Sequence, residues 1–180
     1  MRIYPLKSLP ETTVEEIVKG RIFCYPTDTV YGLGCNALIS KSVKKLRRIK
    51  QASHPFSVIA PSKDWIEKNM HVPNLAFLGK LPGPITLIFR KRNSSFLKEC
   101  SQETLGIRIP DHMISEMIAK AGVPFVSTSA NLAGERTIRK LSELPAALAK
   151  GVDIGIDAGR IDNLPSQVYD MTDESPKRIR

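Results

Sequence analysis

Short apolar runs, broken by glycine, proline and small polar residues, divide the chain into alternating helical and extended segments. Thr13 stands three residues before Glu16, the spacing of a capping box, and Gly20 supplies a stop. Residues 13–20 therefore predict a short helix with Val14, Ile17 and Val18 on one face. Residues 21–25 read as a buried strand that Pro26 ends, because proline offers no N–H to a ladder. Ser40 can cap a helix over 41–50 that turns Val43, Leu46 and Ile49 inward and covers the rest of its surface with six cations. Residues 56–60 predict a strand. Ser62 can cap a helix carrying Trp65, Ile66 and Met70, and a helical turn or two is expected over 74–81. Residues 85–89 form the next strand candidate, followed by a basic surface loop over 90–95. Residues 104–110 alternate Leu105, Ile107 and Ile109 against Gly106 and Arg108, a strand with a two-residue period. Asp111 can cap a helix through Ala121 that Gly122 ends. Residues 123–126 predict a buried strand. Thr137 can cap a helix through Ala149, interrupted near Pro145, and strands follow near 151–159 and 165–172.

Two places break this rhythm. Residues 26–36 leave the first strand through two threonines, an aspartate, two glycines and an asparagine. Residues 127–134 leave a later strand in the same manner, through Ser127, Thr128, Ser129, Asn131 and Gly134. Such loops place hydroxyls and backbone N–H groups at the mouth of a sheet, where α/β proteins bind ligands. The plainer reading of each is a strand followed by a glycine-containing turn. If both loops lie at strand ends of one sheet, they can face each other across one cleft. Arg108 carries a similar alternative: a mid-strand arginine either guards an exposed edge or is aimed at an anion.

Alternation of strands and helices over 180 residues fits one α/β domain, residues 1–180, with a twisted, open, mixed sheet and helices packed around it. Lys and Arg number 27 against 18 Asp and Glu, a formal net charge of +9. That balance suits an anionic partner such as a nucleotide or RNA, or equally a basic solvated surface. Cys24, Cys35 and Cys100 are an odd set without metal-ligand spacing, and His54, His71 and His112 lack zinc-hydrolase spacing. Reduced thiols and no protein-held metal are expected. No apolar run is long enough to cross a bilayer and no secretory leader is evident, so a cytoplasmic location is the expectation.

Four blocks in order, residues 25–34 (YPTDTVYGLG), 82–86 (PGPIT), 106–110 (GIRIP) and 127–132 (STSANL), with the Pro165-Ser166 step, resemble the YrdC-like family of threonylcarbamoyl-AMP synthases. The resemblance implies a twisted open sheet with a basic concave cleft. It implies synthesis of threonylcarbamoyl-adenylate and pyrophosphate from L-threonine, bicarbonate and ATP, for modification of tRNA. By match to the family, Lys50 and Arg108 would serve catalysis. Thr29, Arg108, Ser127 and Ser166 would contact threonine. Lys50, Thr104, Ser129, Asn131, Thr137 and Arg180 would bind the nucleotide. Mg²⁺ is expected mainly on the ATP phosphates. Implied partners are tRNA or double-stranded RNA and other tRNA-modification proteins, with no membrane.

The chain departs from the family pattern at several points, and its segment between Lys50 and Pro55 is shorter than usual. Ala52 stands where a Lys-x-Arg arginine is usual, Gln167 where threonine is usual, and Ala133 where serine is usual. His54 follows close to the missing cation. These departures keep two other readings open: a non-catalytic double-stranded RNA-binding or ribosome-associated protein of the same fold, or a paralogue with another substrate.

Overall fold

The computed structural model describes residues 1–132 and 134–180; Ala133, one of the departures above, lies outside them. Eleven strands and five α-helices alternate along the described residues. They are β1 (Arg2–Pro5), α1 (Thr13–Val18), β2 (Phe23–Tyr25), β3 (Gly32–Gly34), α2 (Ser40–Lys50), β4 (Ser57–Ile59), α3 (Lys63–Asn69), β5 (Met70–His71), β6 (Ile85–Lys91), β7 (Thr104–Arg108), α4 (Met113–Ala121), β8 (Phe125–Ser129), α5 (Ala146–Ala149), β9 (Ile154–Asp157), β10 (Gln167–Asp170) and β11 (Lys177–Arg178). One twisted open sheet runs β1-β9-β2-β3-β8-β4-β7-β6-β10-β11, with β5 added beside β6. The pairs β1/β9, β2/β9, β4/β7 and β6/β10 are parallel, and the remainder are antiparallel. The sheet is therefore mixed, as the alternation predicts.

Successive side chains leave opposite faces of a strand, and the core divides on that rule. Cys24, Leu33, Val58, Leu87, Phe89, Leu105, Ile107 and Val126 pack on one face with Val43 and Leu46 of α2. Phe23, Tyr25, Ile59, Phe125, Ile154 and Ile156 pack on the other with Ile17 of α1 and Ile114, Met117 and Ile118 of α4. Phe125 holds this second cluster together, meeting Phe23 and Tyr25 edge-on with ring centroids 5.8 and 5.6 Å away.

Several local expectations change. The 13–16 capping box does not form: Thr13 is already helical, Thr12 precedes the helix, and the Thr13 hydroxyl donates to Pro10 O at 2.6 Å. Ser40 is the first residue of α2 rather than its cap, and its hydroxyl donates to Glu99. Ser62 does cap α3, accepting from Trp65 N. His112, not Asp111, caps α4, its Nδ1 accepting from Ile114 N at 3.2 Å. The helix expected over 137–149 shrinks to a 3₁₀ turn, Leu141–Glu143, and the single turn of α5, because Pro145 cannot continue the first. Met70 belongs to β5, not to the helix before it, and β6 extends through Arg90 and Lys91, which the pattern assigns to a loop. Strand β8 runs on through Ser127 to Ser129, so the first three residues of the second polar loop are strand. Arg108 guards no edge, since β7 lies between β4 and β6.

Candidate functional site

The same alternation that fills the core builds a cavity on the opposite face of the middle strands. In β6, Leu87 and Phe89 enter the core, while Thr86 and Ile88 face the cavity. In β7, Leu105 and Ile107 enter the core, while Thr104, Gly106 and Arg108 face the cavity. Ser57 of β4 and Ser127 and Ser129 of β8 continue this row, with Ser57 registered opposite Ser127. The hollow has a volume of about 590 Å³, within the range of ligand sites. Its bed is hydroxyl-rich because the cavity-facing positions of these four strands, Ile88 apart, are Ser, Thr, Gly or Arg. Gly106 keeps it open: a Cβ there would lie 2.4 Å from Ser57 Oγ and 3.3 Å from Thr86 Cγ2.

The first polar loop bends over one end. Thr27 Oγ1 donates to Val30 O at 2.8 Å, accepts from the Thr29 and Val30 amides and meets Thr29 Oγ1 at 2.9 Å. This knot fixes Thr29 beside Arg108, whose Nη2 donates to Thr29 Oγ1 at 3.1 Å and to Asp28 Oδ1 at 2.7 Å. Asp28 is held in turn by the Asp111 amide on Oδ2 and by Asn163 Nδ2 on its backbone carbonyl. Asp28 does not line the cavity, so it anchors Arg108 from behind. Arg108 Nε is buried without a partner among the described residues. Burial pulls the Arg108 pKa down from its usual value, and the Asp28 carboxylate opposes that pull. Among the described residues only Nη2 is engaged, and Arg108 lies on the cavity wall, where its planar fork matches a carboxylate.

Across from it, Ser166 accepts from Arg180 Nη2 at 3.5 Å through its hydroxyl and from Arg180 Nε at 3.3 Å through its carbonyl. Its hydroxyl also lies 2.9 Å from Thr86 Oγ1. Arg108 and Arg180 are thus the two arginines among the described lining residues, and the Arg180 charge adds to the downward pull on the Arg108 pKa.

Of the residues singled out from sequence, Thr29, Thr104, Arg108, Ser127, Ser129, Asn131, Thr137, Ser166 and Arg180 all line this one cavity. Thr29 and Asn131, from the two polar loops, share it as expected. Lys50 is not among the residues that line it but lies directly behind two that do, Ser129 and Asn131. Its side chain is 1% exposed, and Nζ donates to Ser129 O at 2.7 Å, Asn131 O at 2.8 Å and Asn131 Oδ1 at 3.1 Å. Burial pushes its pKa down to about 8. Ala52 is buried and brings no charge to the cavity. Gln167 is exposed, and its Oε1 accepts from Tyr169. His54 reaches the rim, where burial first, then the nearby Lys50 and Arg47 cations, push its pKa down.

Sequence reasoning missed Ser57, Thr86 and Ser101 as site residues, which also line the hollow, as do Thr27 and Thr128 of the two polar loops. The signal for Thr86 and Ser57 was present: each is a hydroxyl residue flanked by apolar neighbours in a strand. Reading it required knowing that β4, β6, β7 and β8 are sheet neighbours. Among the described lining residues there is no Asp or Glu, and no group of three His, Cys, Asp or Glu side chains could hold a metal ion. A cation in this cavity would have to arrive with ligands of its own. The three thiols are free and buried, and no helix is long and apolar enough to cross a membrane among the described residues.

Residues 15–180 match a family model, Sua5/YciO/YrdC, described as telomere recombination. A curated relative named putative threonylcarbamoyl-AMP synthase, from Methanocaldococcus jannaschii, is 34% identical over 191 residues, covering 100% of this chain and 91% of its own. A protein named YciO from Escherichia coli is 31% identical over 185 residues, covering 98% of this chain and 90% of its own. Among solved structures, P. abyssi Sua5 complexed with L-threonine superposes with a TM-score of 0.87 at 25% identity. That match covers 100% of this chain but 57% of the other, so this chain spans little more than half of the P. abyssi protein. The structure of E. coli YciO superposes with a TM-score of 0.82 at 29% identity, covering 99% of this chain and 93% of the other. Fold, cavity and sequence thus lead to one assignment: the chain belongs to the Sua5/YciO/YrdC family.

Proposed function

We propose that this protein is a threonylcarbamoyl-AMP synthase, acting on L-threonine, bicarbonate and ATP. The observation that carries the reading is Arg108, a buried cation tied through Nη2 to the Thr29 hydroxyl, on the wall of a hydroxyl-lined cavity. That set suits an amino acid bearing both a carboxylate and a hydroxyl. Its relation to a protein solved with L-threonine supports the same choice. Threonine's amine condenses with bicarbonate to give a carbamate and water. A carbamate oxygen then attacks the α-phosphorus of ATP, forming the new P–O bond as the bond to pyrophosphate breaks. Such a transfer needs alignment and charge neutralisation more than a covalent nucleophile.

In this reading Arg108 takes the threonine carboxylate, and Thr29, Ser127 and Ser166 orient the rest of the amino acid. Thr104, Ser129, Asn131 and Thr137 cradle the nucleoside, and Arg180 stands at the phosphates. Mg²⁺, when bound to ATP, supplies charge neutralisation on the phosphate oxygens, and a lining without carboxylates suits an ion held by its substrate. The product would feed threonylcarbamoylation of tRNA by partner modification proteins in the cytoplasm. Calorimetric titration tests the pairing of substrates. ATP should bind, and threonine should bind more tightly once ATP and bicarbonate are present. Threonine affinity indifferent to both would oppose the reading.

A second reading has its own support. With Ala52 in place of an arginine and the Lys50 donors already engaged, the nucleotide end lacks two cations the family pattern supplies. This favours a paralogue that binds nucleotide with a different carboxylate substrate. Competition for the ATP-loaded protein by serine, other amino acids and simple hydroxy acids discriminates the two. The net charge of +9 supports RNA contact in either case, and its affinity for double-stranded RNA should fall steeply with added salt.

A further inference from the structure

The Lys50 ammonium has three N–H donors and three acceptors within 3.1 Å, on the last residue of β8 and on the turn that follows it. The Asn131 side chain is engaged further: Oδ1 also accepts from Ser129 Oγ, and Nδ2 donates to Glu135 O at 2.7 Å, leaving one N–H of the amide. The chain repeats this use of a cation twice around the cavity. Lys91, 6% exposed, donates to Ser94 O, Phe96 O and Ser101 O at 2.7, 2.8 and 2.9 Å. The Arg47 guanidinium donates to Ala52 O at 3.0 Å, His54 O at 2.8 Å, Glu99 O at 2.9 Å and Cys100 O at 3.3 Å, and lies 4.2 Å over the Phe56 ring. Each of the three segments so tied contributes residues to the lining: Ser129 and Asn131, Ser101, and His54.

We propose that Lys50 is a positioning residue: its ammonium holds the 129–131 turn in the shape that receives the nucleotide and touches neither phosphate nor threonine. This rests on the synthase reading for the ligand and reassigns the lysine within it. A bound phosphate could recruit Nζ only by stripping N–H donors from buried carbonyls, and water does not reach Nζ to replace them. The geometry also explains how the site tolerates Ala52. The turn is already held from within, and the 52–54 wall is held by Arg47, so neither needs a cation at position 52 to keep its form.

The two roles separate when a ladder of ligands is measured on the wild type and on Lys50→Met. A positioning lysine lowers affinity for adenosine, AMP and ATP by one common factor, about tenfold or more. It leaves the salt dependence of ATP binding unchanged and L-threonine affinity within about twofold, because Arg108 lies on another strand. A phosphate ligand gives a loss that grows from adenosine to ATP together with a shallower salt slope, and that result overturns the proposal. A wild-type protein that binds none of the three overturns the synthase reading as well. If Lys50→Met does not fold, ¹⁵N–¹H spectra of the wild-type ammonium decide. A slowly exchanging signal that persists unchanged in the ATP complex supports positioning. A signal that shows coupling to phosphorus, or that exchanges rapidly with water, contradicts it.

Discussion

Arg108 and Asp28, eighty positions apart in sequence, meet at 2.7 Å with their side chains only 7% and 10% exposed. The pair joins the end of β7 to the first polar loop, and the loop brings Thr29 onto the same guanidinium. Asp28 spends its second oxygen on the Asp111 amide and lies outside the cavity, so the pair leaves the far side of the arginine for a ligand. The amino-acid end of the site depends on this arrangement.

Replacing Arg108 therefore has two separable consequences. Arg108→Ala leaves a buried carboxylate without its cation and should cost about 3–5 kcal/mol of stability, read from denaturant midpoints. Arg108→Lys retains a charge but loses the fork. Threonine affinity should fall about tenfold to a hundredfold while ATP affinity changes little, as calorimetry would report.

Lys50 gives the fold a pH signature. Its pKa in the folded protein is pushed down to about 8, against 10.5 for an ordinary lysine. Below pH 8 it is protonated in both states, and burial of the charge lowers stability. Between about 8 and 10.5 the folded state has released the proton and the unfolded state has not, so raising pH favours folding through this window. Stability of the wild type relative to Lys50→Met should rise across it in urea titrations. Nucleotide affinity should fall over the same range, because a neutral amine retains two donors for three acceptors.

Gly34 is fixed by contact rather than by conformation. A Cβ there would lie 2.0 Å from Val126 O and 2.6 Å from Phe125 Cε1, where the chain of β3 closes on its neighbour. Backbone cannot yield as a flexible side chain can. Gly34→Ala should destabilise by about 1–3 kcal/mol or more. Melting should shift by several degrees in calorimetry, with the remaining population still binding ligand normally.

Much of this was legible before any coordinates. The alternation in 104–110 put Arg108 on the face away from Leu105 and Ile107, where it stands. The two polar loops were recognisable as small, hydroxylated exits from apolar strands, and Thr29 and Asn131 do share one cavity. What failed were decisions that depend on tertiary partners. Thr13, Ser40 and Asp111 each had a capping residue's chemistry, yet the chain's entry angle gave two helix starts to Thr12 and His112 and turned Ser40 toward Glu99. Strands β1, β3, β5 and β11, of two to four residues, carry too little pattern to be seen alone and exist because a neighbour supplies the ladder. Lys50 could be placed at the end of α2, but whether its ammonium met a ligand or the carbonyls of a turn about eighty residues later was a question only packing could answer.

The most direct measurement incubates the pure protein with ATP, bicarbonate and labelled L-threonine, and follows the nucleotide-linked product and pyrophosphate together. The account predicts one pyrophosphate released for each threonylcarbamoyl-adenylate formed, with turnover dependent on bicarbonate and lost in Arg108→Lys. Folded protein that binds ATP yet yields neither product would contradict it.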